Sequence, residues 1–171
     1  MKKNAFLLLI IPLFLFQSCI NWGEESDDGV FPLNSNYEPV IIKRSAFEST
    51  TTLDNTPRVI ENSGKIYVKN NYIFINEVNK GFHLINNSNP SNPITIGFIN
   101  VLGSSDLSIK DDVFYANNAT DLIAFKINET SETLTITKRL TNVFPQIWSP
   151  EGIMYYNLED DDIIVDWELI N

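Results

Sequence analysis

The chain has 171 residues, a formal net charge of −10 and an isoelectric point near 4.4. An acidic balance of this size argues against nucleic acid as a partner, because phosphates are held by Lys and Arg. A single cysteine excludes internal disulfides, so an apolar core must hold the fold, and the length suits one domain.

The N-terminus has the pattern of a processing signal. Lys2 and Lys3 precede an uncharged apolar run, Ala5 to Phe16, and then Gln17, Ser18 and Cys19. The run is too short to span a hydrocarbon core of about 30 Å as a helix but has the length of a secretory h-region. Phe16-Gln17-Ser18-Cys19 resembles a bacterial lipobox, with Phe where Leu is usual. The expectation is a lipoprotein signal peptide over residues 1–18 and lipidation of Cys19. A plain signal peptide or an uncleaved anchor would leave an unpaired thiol in an oxidising compartment. Two or more acyl chains give stable anchoring to a membrane where one does not.

Residues 19–36 carry Glu24, Glu25, Asp27 and Asp28 and no basic residue. Such a stretch buries too little apolar surface to offset its ordering entropy and is expected to be a solvated, flexible tether. Acid placed just after the cysteine also resembles the surface-export signal of Bacteroidetes lipoproteins. A mere spacer is the alternative.

Residues 37–171 form the expected folded domain. Short runs rich in Ile, Val, Tyr, Phe and Thr alternate with clusters of Asn, Asp, Ser, Gly and Pro, which predicts strands and turns and almost no helix. The runs are Val40–Arg44, Lys65–Lys69, Tyr72–Asn76, Phe82–Asn86, Ile94–Val101, Leu107–Lys110, Val113–Asn117, Leu122–Ile127, Leu134–Leu140 and Ile163–Leu169. Asn70-Asn71 and Asp111-Asp112 suit tight hairpins because Asn and Asp tolerate positive φ. Pro90 and Pro93 cannot donate to a ladder and so belong in a loop and at the entry of an outer strand.

An internal repeat organises these runs. Ile66 to Asn76 lies over Leu107 to Asn117 at an offset of 41, and Gly81 to Ile85 lies over Asp121 to Phe125 at an offset of 40. Each copy, 65–101 and 106–142, holds four strands in about 40 residues, the size of a propeller blade. Tyr72 to Ile75 and Leu84-Ile85 are nearly continuous apolar runs, as expected of strands covered on both faces. The expected fold class is therefore all-β with propeller-like four-stranded blades; a β-sandwich is the competing architecture.

Gly81-Phe82-His83-Leu84-Ile85-Asn86-Asn87-Ser88-Asn89-Pro90-Ser91-Asn92-Pro93-Ile94-Thr95-Ile96-Gly97 resembles the LVIVD repeat of bacterial and archaeal surface proteins. That repeat has a glycine, a short apolar strand, Ser-Asn-Pro, a second proline and an apolar strand with Gly. Asn86 stands where the repeat usually has Asp, and the second copy has lost the prolines. With the lipobox and Tyr37-Glu38-Pro39-Val40, the chain is similar to Bacteroidetes lipoproteins carrying this repeat. The resemblance implies a β-propeller at the outer membrane or cell surface and no catalytic activity. Two blades fall short of the four to eight that close a propeller, so the domain is expected to be a shortened propeller or part of a longer one. Open strand edges would then favour self-association or a partner chain.

Candidate chemical groups are sparse. His83, the only histidine, lies between Phe82 and Leu84 on a strand, where a structural role outweighs catalysis. No nucleophile-elbow pattern accompanies it, and one His and one Cys cannot supply the usual zinc ligands. Glu159-Asp160-Asp161-Asp162 is the one acidic cluster in the folded part. Asp160, Asp161 and Asp162 are weak metal candidates for Ca²⁺, because the cluster lacks the alternation and glycine of a calcium loop. Trp148, Tyr155, Tyr156 and Trp167 are expected to anchor the last sheet, with gripping of sugar or protein as the functional alternative. The sequons at Asn86, Asn118 and Asn128 are expected to be coincidental.

The function expected from the sequence is a lipid-anchored, non-catalytic binding or interaction module, with no cofactor and with a protein or glycan as partner. The alternative is a fragment of a longer propeller protein, a hydrolase or lyase whose site is absent here.

Overall fold

The computed structural model describes residues 35–128 and 132–170. The proposed signal peptide, Cys19 and nearly all of the tether lie outside the described residues. Ser35 and Asn36, at the end of the tether, are tied to Glu151: both Ser35 Oγ and the Asn36 amide nitrogen donate to its carboxylate.

The described fold is all-β, with three antiparallel sheets. The strands are β1 (Tyr37–Lys43), β2 (Thr52–Asp54), β3 (Ser63–Lys69), β4 (Tyr72–Glu77), β5 (Gly81–Asn86), β6 (Ile94–Asn100), β7 (Leu107–Lys110), β8 (Val113–Asn118), β9 (Asp121–Asn128), β10 (Thr133–Leu140) and β11 (Asp162–Leu169). A single helical turn, α1 (Arg44–Phe47), follows β1. All ten expected strands form. Thr52–Asp54 and α1 are additions; three residues with one apolar side chain leave no periodicity to detect.

The two repeat copies are two blade-like sheets. The first has the order β2-β6-β5-β4-β3 and the second β10-β9-β8-β7. Both copies turn from their first to their second strand on a residue in the left-handed region, Asn70 (φ 52°) and Asp111 (φ 53°). Pro90 and Pro93 lie between β5 and β6, where no ladder bond is demanded of them. Gly81 has a φ of +145° and opens β5 against the carbonyl oxygen of Ile99, a position a side chain could not share.

The main core lies between the blades. Phe74, Phe82, Leu84, Ile99 and Val101 from the first pack against Leu107, Phe114, Ala116, Ile123 and Phe125 from the second. The Phe74 and Phe114 ring centroids are 5.2 Å apart, and Phe114 stacks on Phe125 at 5.3 Å. Burial of these rings stabilises the fold by about 1.5–3 kcal/mol per fully buried large side chain.

The third sheet joins the ends of the domain: β1 pairs antiparallel with β11, Tyr37 opposite Leu169 and Lys43 opposite Asp162. Its inner side, Val40, Ile42, Ile163 and Val165, packs with Phe47, Leu102, Ala119 and Ile147. Leu102 and Ala119 belong to turns, so this sheet sits on the loop ends of the blades.

Candidate functional site: a cleft between the blades

The hairpin ends of the two blades part to leave an open cleft of about 1080 Å³. This slightly exceeds the usual span of small-molecule sites, about 300–1,000 Å³. Its floor is apolar and aromatic: Leu53, Tyr72, Phe74, Leu84, Ile96 and Phe114. β2 places Leu53 here, which is why the short strand the sequence hides bears on the site.

The rim is polar and mostly uncharged. Asn55, Asn70, Asn86 and Asn128 supply amides, and Thr135 and Thr137 supply hydroxyls. The charged residues balance in sign, Lys69 and Lys126 against Asp112 and Glu132. Lys69 Nζ donates to Asp112 Oδ1 at 2.7 Å and stands over the Phe114 ring at 5.2 Å. That hydrogen bond from Lys69, with further attraction from Lys69 and Lys126, holds the Asp112 carboxyl below its ordinary range. The cleft therefore presents donors, acceptors and aromatic surface without an unbalanced charge.

His83 lies elsewhere, on the opposite face of the first blade. It is 1 % exposed. Its Nε2 is 2.9 Å from Glu77 Oε2, and its Nδ1 has no hydrogen-bond partner. The Glu77 carboxylate also accepts the backbone N–H of Glu61 at 3.1 Å and of Asn62 at 2.5 Å. Burial alone would raise the Glu77 pKa, but the His83 hydrogen bond and the two backbone donors outweigh it and bring it below the usual value. Glu77 thus straps residues 55–62 onto the sheet. No hydroxyl or thiol bonds to His83 among the described residues, so the pair lacks the nucleophile that a triad requires. The sequence reading missed Glu77; its only signal was a carboxylate at the end of a predicted strand.

The acidic cluster is also placed. Glu159, Asp161 and Asp162 converge, while Asp160 does not join them. The Lys43 ammonium stands among the three, 2.5 Å from Glu159, 2.9 Å from Asp161 and 2.8 Å from Asp162. Hydrogen bonds donated to Asp162, Glu159 and Asp161 raise the Lys43 pKa well above normal. A cation entering this cluster would have to displace a charge the chain already supplies.

The C-terminal aromatics divide. Trp167 donates its Nε1–H to the Ile147 carbonyl at 3.0 Å and so anchors the last sheet as expected. Trp148 and Tyr156 are 54 % and 83 % exposed, contrary to the expectation that they are buried anchors. They fall in the irregular stretch between β10 and β11, where no paired strand exists to cover them.

A further buried carboxylate, Asp121, was not singled out in the sequence. It accepts from Arg44 at 3.0 and 3.3 Å and from Arg139 at 2.8 Å, and it accepts the Asn142 N–H at 3.1 Å. Burial would raise its pKa, and the two arginines reverse that and lower it. This clamp joins α1 to the second blade and is structural. The only signal for it was that charged Asp121 occupies the repeat position of Gly81.

No protein-family model, curated protein or solved structure matches the chain.

Proposed function

We propose that the chain is a non-catalytic binding module, held at the bacterial outer membrane or cell surface by lipid on Cys19, and that its ligand occupies the cleft between the blades. The cleft carries this reading: an aromatic and aliphatic floor, a rim of amides and hydroxyls, and charges that cancel. Uncharged hydroxyl-rich ligands match such a lining, which favours a glycan over an ionic ligand. The cleft lining includes no His or Cys. The Lys2–Cys19 pattern supports the address, and the resemblance of Gly81–Gly97 to LVIVD repeats supports a place among propeller-type lipoproteins.

The test is a glycan array probed with wild type and with Thr135→Trp, which fills the cleft from an exposed rim position. Wild type is expected to retain a class of glycans, and the variant to bind about tenfold or more weakly with unchanged melting. No retained glycan, equal binding by the variant, or turnover of the bound glycan would overturn the reading. Metabolic labelling with an alkyne fatty acid tests the anchor: label is expected in wild type and absent from Cys19→Ser.

A further inference from the structure

The repeat and the strand registers together assign each blade two different faces. In the second blade, Leu107, Ile109, Phe114, Ala116, Ile123 and Phe125 face the first blade. Their repeat equivalents in the first blade are Ile66, Val68, Ile73, Ile75, His83 and Ile85, and none of these belongs to the inter-blade core. They line the other face of the first sheet. Ile66 pairs with Ile75, Ile75 with His83 and His83 with Phe98, one row across four strands. Val68, Ile73 and Ile85 form the row beside it.

The converse holds for the second blade. Tyr67, Tyr72, Phe74, Phe82 and Leu84 of the first blade meet the second, and their equivalents are Ser108, Val113, Tyr115, Leu122 and Ala124. These lie on the second blade's far side. The molecule thus carries one buried copy of an interface and both halves of a second copy, unjoined. The unjoined half on the first blade is apolar; it is open at the β3 edge, where Ile66 and Val68 are 64 % and 65 % exposed, and already covered at His83, Ile85 and Phe98, which are buried. Residues 55–62 cover only part of it, with Arg58 over Phe98 at 4.3 Å.

We infer that the occupant of this face is the second blade of another copy of this chain, stacked head to tail as the two blades stack within one copy. Residue pairs follow from the internal contact. Phe74 meets Phe114, so Tyr115 of one copy meets Ile73 of the next. The Tyr67 hydroxyl accepts the Leu107 N–H at 3.1 Å, so Ser108 of one copy lies beside Ile66 of the next. Contacts of this heterologous kind either close into a ring or run on as a filament. With two blades per copy, two to four copies give the four to eight blades at which propellers close. The third sheet packs on the loop ends, through Leu102 and Ala119. This inference is independent of what the cleft binds.

Sedimentation velocity on the full chain in mild detergent, with Cys19→Ser throughout, reads the association. Wild type is expected as a closed species of two to four copies above detergent, and Ile66→Lys with Val68→Lys to associate about tenfold or more weakly. Both positions are exposed, so the melting temperature should hold. Ile66→Cys and Ser108→Cys proteins, each alone and then mixed, are treated with a short bis-maleimide. Cross-linked dimer only in the mixture supports the stacking. A wild-type monomer at about 100 μM, association indifferent to the lysines, or Ile66→Cys cross-linking to itself alone would overturn it, the last in favour of like faces meeting.

Discussion

Asp121 shows how much a single buried charge can hold in a small β domain. Its carboxylate is enclosed and receives two guanidinium groups, one from the helical turn and one from β10. Removing one member of a buried ion pair leaves the others desolvated and unmatched, which costs about 3–5 kcal/mol. Asp121→Asn is expected to lose stability of that order in urea denaturation, with the m-value unchanged. The same logic sets the response to acid. Asp121 and Glu77 have native pKa values below their unfolded ones, so each contributes stability that is complete above the unfolded value, near pH 4 to 5, and lost as pH falls through the native one. Stability is therefore expected to be flat from pH 7 to about 5 and to fall steeply below about 4. A midpoint that rises on acidification would contradict the clamp. Lys43, Glu159 and Asp161 are exposed and their pairing adds little; EDTA or Ca²⁺ is expected to leave the melting temperature unmoved, because an ammonium already occupies the cluster.

Among the elements, residues 55–62 are the least self-sufficient. They form no strand, and they are held by the Glu77 carboxylate, by the Val78 N–H bonding to the Asn62 carbonyl at 3.0 Å, and by the Arg58–Asp54 pair at 2.8 Å. Glu77→Gln keeps the shape but replaces an acceptor oxygen with a donor that faces other donors. The loss is about 1–3 kcal/mol, local to the strap. Hydrogen exchange at residues 58–62 should accelerate at least about fivefold while exchange in β8 and β9 stays protected. Nothing in the sequence of this segment announces the strap, since its partners are a backbone N–H and a carboxylate on a different element. Strand positions were legible because β-branched and aromatic residues cluster between turn formers. Pairing was legible only where hairpins are tight. Thr52–Asp54 shows the limit: it becomes a strand because the free edge of β6 offers it a ladder.

At the scale of the whole molecule the blades are one cooperative unit, because their core is shared. Phe114 touches both Phe74 across the interface and Phe125 within its own sheet. Phe114→Ala is expected to cost about 3–5 kcal/mol and to shift a single unfolding transition; two separated transitions would show that the blades unfold independently. The sequence by itself determined the strands, their grouping into two copies of one unit and the turns that join them, because period, β propensity and turn chemistry are local properties written in neighbouring residues. It also pointed to two apolar faces on the first sheet, through the continuous runs Tyr72 to Ile75 and Leu84-Ile85. Which face meets which, the pairing of β1 with β11, the placing of Lys43 among Glu159, Asp161 and Asp162, and the opening of a cleft where the blades part were decided by tertiary structure alone. Each depends on side chains brought together from distant parts of the chain, whose contact is a matter of sheet stacking and carries no trace in local pattern.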